Sequence, residues 1–199
     1  MQSNRQRLLT CGLMAAGLML TSCDRSDTPG GPSAGGAARA SVPAGFALTA
    51  PPQGARDVIE LKATARAGEQ AVLRGIIGGR VKPFVDGRAV LTVVDATFPG
   101  GPCKSCKSCP TPWDYCCAEQ AELAAAMATI QVADASGKPL TGTLEGVAGL
   151  KPLATVVVRG TVADAQPGKV LLISATGVYV EPAPPDDEPA PKPAGPPGA

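Results

Sequence analysis

Histidine does not occur anywhere in the 199 residues. Its absence excludes imidazole as a general acid or base, as the partner in a Ser-His-Asp or Cys-His nucleophile pair, and as a metal ligand. Aromatic side chains are scarce, with one Trp, two Tyr and three Phe, too few to build the stacking platform on which single-stranded nucleic acids lie. Charge of either sign is not in surplus. Eighteen basic and 17 acidic residues leave a formal charge of +1, without the basic excess that neutralises phosphate backbones. Long apolar runs are confined to Leu8–Leu20, short of the about 20 residues that a membrane-spanning helix needs. What chemistry remains falls to cysteine and carboxylates.

Cysteine is abundant, and its distribution is uneven. Cys103, Cys106, Cys109, Cys116 and Cys117 form a C-x2-C-x2-C-x6-C-C run around Trp113, Asp114 and Tyr115. A cluster this dense is cross-linked, holds a metal or does thiol chemistry, and the compartment decides which. The N-terminus gives the compartment: Arg5 and Arg7 precede the apolar stretch, which ends in Leu20-Thr21-Ser22-Cys23, the layout of a secretory signal peptide. The Leu-Thr-Ser-Cys tetrad resembles the lipobox of bacterial lipoproteins. That resemblance implies that residues 1–22 are removed, that Cys23 carries the lipid anchor, and that the protein sits in the cell envelope, tethered to a membrane. Loss of Arg5 and Arg7 leaves 16 basic against 17 acidic residues. The composition thus argues against nucleic acid as a partner.

Punctuation divides the remainder. Residues 23–55 are rich in Gly, Pro, Ser and Ala without apolar periodicity and predict a flexible tether. Residues 181–199, dominated by Pro, Ala and acids, predict a disordered tail. Residues 56–180 are expected to form one domain with one core. Strands are expected at Ala71–Ile77, Ala89–Asp95, Thr129–Ala133, Thr155–Val162 and Lys169–Val180, with Gly177 a candidate break in the last. Asp86-Gly87 and Ser136-Gly137-Lys138-Pro139 mark turns, and Gly78-Gly79 a bulge or bend. Leu144, Val147, Leu150 and Leu153, three residues apart, predict a short helix or 3₁₀ turn.

The expected fold class is therefore all-β: a small five-stranded, OB-fold-like Greek-key barrel, with a β-sandwich or another small barrel as the alternatives. The segments AVLRGIIGG, RAVLTVVDA, ATIQVADASGK and ATVVVRGTVA resemble successive strands of OB-fold domains of the nucleic-acid-binding type. Such folds bind nucleic acids, sugars, metals or proteins through grafted loops, so fold alone implies no activity. The periplasmic haem chaperones of cytochrome c maturation are similar in being exported, tethered OB-folds, but they hold haem through a histidine that this chain lacks. The string CPTPWDYCC resembles one in uncharacterised exported bacterial proteins with the same strand layout.

The cysteine run falls in an insertion, residues 96–128, whose last part, Ala118–Ala128, is expected to be a helix of about three turns. Three accounts of the cluster stand. Oxidising surroundings favour disulfides from the Cys103, Cys106 and Cys109 group to the adjacent Cys116 and Cys117 pair, with one thiol left over. Two C-x2-C steps also suit a tetrahedral thiolate site for zinc, completed by Cys116 or Cys117. Thiol exchange at a C-x2-C step, with Lys104 and Lys107 favouring thiolate, is the third. Trp113 and Tyr115 are expected to cover the cross-links, with a partner-binding surface as the alternative. Asp95, Asp114 and Glu119 read as turn or cap residues, and Arg159 and Lys169 as solvated strand positions. The functional expectation is a lipid-anchored, non-enzymatic binding or structural protein of the envelope without cofactor. Its alternatives are a zinc or thiol-redox protein and an oligonucleotide- or oligosaccharide-binding module.

Overall fold

The computed structural model describes residues 38–102 and 109–183. Within them the chain runs β1 (Arg56–Asp57), α1 (Val58–Thr64), β2 (Gln70–Ile77), β3 (Val90–Val94), a 3₁₀ turn (Pro112–Asp114), α2 (Gln120–Ala125), β4 (Met127–Gln131), a second 3₁₀ turn (Val147–Gly149), β5 (Thr155–Gln166) and β6 (Val170–Val180). The framework is all-β. Six strands form one mixed sheet in the order β1-β2-β3-β4-β6-β5, and β2 pairs with β5 as well as with β3. The expected five strands correspond to β2–β6, and the two-residue β1 is an addition, parallel to β2.

Alternation explains the strands. Along β2, Ala71, Leu73 and Ile77 point into the core while Val72, Arg74 and Ile76 are half-buried, the period of two that a pleated strand imposes. Strand β3 is different: Leu91, Thr92, Val93 and Val94 are all buried. Leu91 and Val93 join the main core, whereas Val94 belongs to a second, smaller cluster with Phe98, Tyr115, Leu123 and Ala126. The insertion between β3 and β4 thus folds back over β3, burying its own few apolar side chains against the strand.

Several expectations need correction. Residues 38–48, read as tether, pack on the domain: Phe46 is 3% exposed, Thr143 N–H donates to the Ala38 carbonyl, Ala40 N–H to that of Thr143, and Leu48 N–H to that of Val178. Phe46, with buried Ala40 and partly buried Val42, anchors a strap that its Gly- and Pro-rich surroundings disguise. Strand β6 continues through Gly177, although its register with β5 shifts beside it, between the Arg159–Gly177 and Gly160–Ala175 pairs; a Cβ on Gly177 would come within 3.1 Å of the Leu48 side chain, so the glycine makes room for the strap rather than ending the strand. Helix α2 is six residues long, not three turns, because Met127 and Ala128 pair with Val94 and Val93 as β4. The tail begins later than expected, since Glu181 forms a two-pronged ion pair with Arg74 at 2.8 and 2.9 Å. The rest of the expected tail from residue 184, the signal peptide and Cys23 lie outside the described residues. Among those described, no helix is long and apolar enough to cross a membrane.

Candidate functional site

The cysteine loop is held from the end of β2. Gly79 N–H donates to the Trp113 carbonyl at 2.7 Å, and the Trp113 indole N–H donates to the Val81 carbonyl at 3.1 Å. A Cβ on Gly78 would lie 2.6 Å from the Trp113 oxygen, and one on Gly79, at φ +83°, 2.8 Å from Val94. The glycine pair is therefore a docking platform for the loop, where no side chain fits. From there Trp113 is half-buried. Tyr115 is 1% exposed and tilts against Phe98 with ring centroids 6.0 Å apart. Of the two aromatics, only Trp113 is left with area to offer a partner. Tyr115 covers the insertion, and burial pushes its phenol up to about 12.

Tyr115 also reverses the chain. Its left-handed backbone, φ 57° and ψ 36°, ends the 3₁₀ turn, a conformation that costs a non-glycine residue about 1–2 kcal/mol and is held here by burial of the ring. The reversal turns Cys116 and Cys117 to the surface. Asp114 fixes the turn: its Oδ2 accepts from the Thr111 hydroxyl at 2.7 Å and its Oδ1 from Cys116 N–H at 2.9 Å. The Thr111 bond first, and the Cys116 bonds after it, hold its carboxyl below the usual range.

In this frame the Cys109 and Cys116 sulfurs approach to 3.6 Å and those of Cys116 and Cys117 to 3.8 Å. No pair among these three is at bonding distance, about 2.05 Å. An Asp114 oxygen and the Cys109 and Cys116 sulfurs lie within 4.8 Å of one another. Cys103 and Cys106 lie outside the described residues. The structure thus brings together three of the five clustered cysteines and adds Asp114, which sequence reasoning had set aside as a turn residue; it is that too.

The other carboxylates do not join the site. Buried Asp95 accepts from Ile59 N–H at 2.8 Å with one oxygen and from Thr97 N–H and hydroxyl with the other, capping the start of α1, while Glu119 precedes α2 without a side-chain capping bond. Lys62 had not been singled out at all. It is 3% exposed, and its ammonium donates to the Ala124 and Met127 carbonyls at 2.7 and 2.8 Å, satisfying acceptors at the end of α2 that the helix cannot. Burial lowers its pKa. Arg80, beside the glycine platform, borders both the Asp114–Cys116 surface and a cavity that Lys62 and Lys169 also line. These cations are far apart in the chain, so no local motif could have revealed them. No protein-family model, curated protein or solved structure matches the chain, and a functional reading therefore rests on these residues alone.

Proposed function

We propose that the chain is a lipid-anchored protein of the cell envelope, tethered through Cys23, whose OB-fold-like Greek-key barrel displays a cysteine-stapled loop as a binding or structural surface. It acts by binding and not by catalysis. For the barrel, support comes from the pairings: β2 to β3, β3 to β4, β4 to β6 in parallel, β6 to β5, and β5 back to β2, a circuit of five strands in which each has two neighbours. Support for the anchor is the lipobox at residues 20–23.

The observation that carries the loop's role is the 3.6 Å approach of Cys109 and Cys116 on a segment locked by Asp114 and by the glycine platform. Oxidation of the pair forms one S–S bond and releases two protons and two electrons to a thiol oxidant of the envelope. Closing so short a loop stabilises it by about 2–3 kcal/mol on the chain-entropy account. Trp113, with Val81 beside it at 63% exposure, is then the apolar part of the displayed surface, to which an envelope protein is the fitting partner.

A second reading is zinc. Cys109, Cys116 and Asp114 supply three donors within 4.8 Å, and Cys117 is the candidate fourth. Both Asp114 oxygens are already hydrogen-bond acceptors in the turn, which makes this the weaker donor set. Membrane-extracted full-length protein separates the readings by intact mass before and after reduction, peptide mapping and metal analysis. The stapled reading expects diacylglyceryl on Cys23 and a Cys109–Cys116 cross-linked peptide without zinc. Stoichiometric zinc, with both thiols alkylated without reduction, sinks it in favour of the metal. An unmodified Cys23 in a soluble product sinks the anchor.

A further inference from the structure

A cavity of about 200 Å³ opens beside β4, lined by Lys62, Arg80 and Lys169 together with Thr129 and the apolar Met127 and Leu171. Its three cations come from α1, from the segment after β2 and from the β5–β6 turn. No carboxylate among the described residues lines it. Among the described residues the ion pairs are Arg56–Glu60, Arg74–Glu181 and Lys82–Asp86, so none of the three cavity cations has a carboxylate partner there. In a chain with nearly equal numbers of basic and acidic side chains, three unpaired cations around one cavity repel one another at a cost that an ordinary surface would relieve with a nearby acid.

Lys62 makes the arrangement a site rather than a patch. Buried charges are normally paired, yet the ammonium of Lys62, a residue 3% exposed, meets only two backbone carbonyls among the described residues. An ammonium has three N–H donors, which leaves one after those two bonds. Arg80 and Lys169 at the exposed rim add a guanidinium fork, suited to two-pronged recognition of an oxyanion, and a point charge, while Thr129 adds a hydroxyl that makes no protein hydrogen bond among the described residues. The volume is below the about 300–1,000 Å³ of pockets for drug-sized ligands and suits a small anion with a few waters.

We propose that this cavity binds a small oxyanion of the phosphate class, with Lys62 at its base and Arg80 and Lys169 closing on it from the rim. The anion supplies the counter-charge that the described residues do not. This site is separate from the cysteine loop's chemistry and stands whether or not Cys109 and Cys116 are bonded.

The test uses the full chain carrying Cys23→Ser, so that no lipid confuses the readout, and titrates inorganic phosphate at ionic strength matched with sodium chloride. Saturable binding by calorimetry is expected, weakened roughly tenfold or more in R80A/K169A, the loss of one charge-assisted bond of about 1.5–3 kcal/mol being enough for that factor. Because phosphate also stabilises proteins by exclusion from their surface, a rise in unfolding temperature counts only where the double variant lacks it. A parallel arm sediments the same proteins with phosphatidylcholine vesicles containing phosphatidic acid. Vesicle binding that R80A/K169A abolishes, without binding of free phosphate, assigns the phosphate to a lipid headgroup and supports the site. No binding in either arm, or equal binding by parent and double variant, overturns it.

Discussion

The docking of the cysteine loop on Gly78 and Gly79 can be tested with one methyl group. In Gly78→Ala the new Cβ would sit 2.6 Å from the Trp113 carbonyl oxygen and 3.1 Å from Tyr115 Cε2, where ordinary contact begins at 3.4 Å. The carbonyl must therefore retreat by about 0.8 Å, which stretches the 2.7 Å bond it accepts from Gly79 N–H to the limit of hydrogen bonding. Overpacking of this kind costs about 1–3 kcal/mol, and losing the bond adds about 0.5–1.5 kcal/mol. Gly87→Ala is the control: no atom lies within 4 Å of its Cβ, and only its φ of +71° resists, at about 1–2 kcal/mol. Trp113 is the sole tryptophan, so intrinsic fluorescence reports the loop directly. Gly78→Ala is expected to red-shift the folded-state emission and to slow oxidative closure of Cys109 on Cys116, besides lowering the urea midpoint. Gly87→Ala is expected to lower the midpoint alone. Emission and closure rate unchanged in Gly78→Ala would refute the docking argument whatever happens to stability.

Three further outcomes follow from the same packing. Burial raises the Tyr115 phenol to about 12 from an ordinary value near 10; the unfolded chain ionises first, so its contribution is complete below about pH 10 and is lost as pH rises towards 12, by up to about 2–3 kcal/mol. Urea midpoints measured across that range should fall more steeply in the parent than in Tyr115→Phe, and parallel curves would contradict the assignment. Lys62→Met removes a buried charge yet leaves the Ala124 and Met127 carbonyls without their donor; a net loss of about 1–3 kcal/mol in urea unfolding is expected, and a gain would show that desolvation of the ammonium outweighs its bonds. Phe46→Ala should cost about 3–5 kcal/mol if the strap belongs to the core, whereas a change within about 0.5 kcal/mol, usual for a surface position, would return residues 38–48 to the tether.

Local patterns in the chain were enough for the strands, and for a physical reason. Val, Ile and Leu dominate 71–77 and 90–94, and three consecutive valines mark 156–158, so apolar and β-branched propensity points to strands without knowledge of the neighbours. Turn glycines were equally plain, as at Gly87 and Gly137, both at positive φ. Helix α1 was missed because its buried face is only Val58, Leu61 and the stem of Lys62, too short a pattern to stand out, and its start is capped by Asp95 from across the sheet. The strap was missed because its core contacts, Ala40, Val42 and Phe46, are scattered without a period among Gly, Pro and Ser.

The sequence by itself determined the all-β class, the absence of imidazole chemistry, and the concentration of cysteine between β3 and β4. It could not say which side chains meet. That Tyr115 faces inward while Cys116 faces out, that an Asp114 oxygen lies within 4.8 Å of two sulfurs, and that Lys62, Arg80 and Lys169 share one cavity are consequences of strand pairing and loop docking. Such contacts join residues distant in the chain, and burial and charge compensation are set by all the neighbours at once. No window of sequence contains them, so only the tertiary structure decides them.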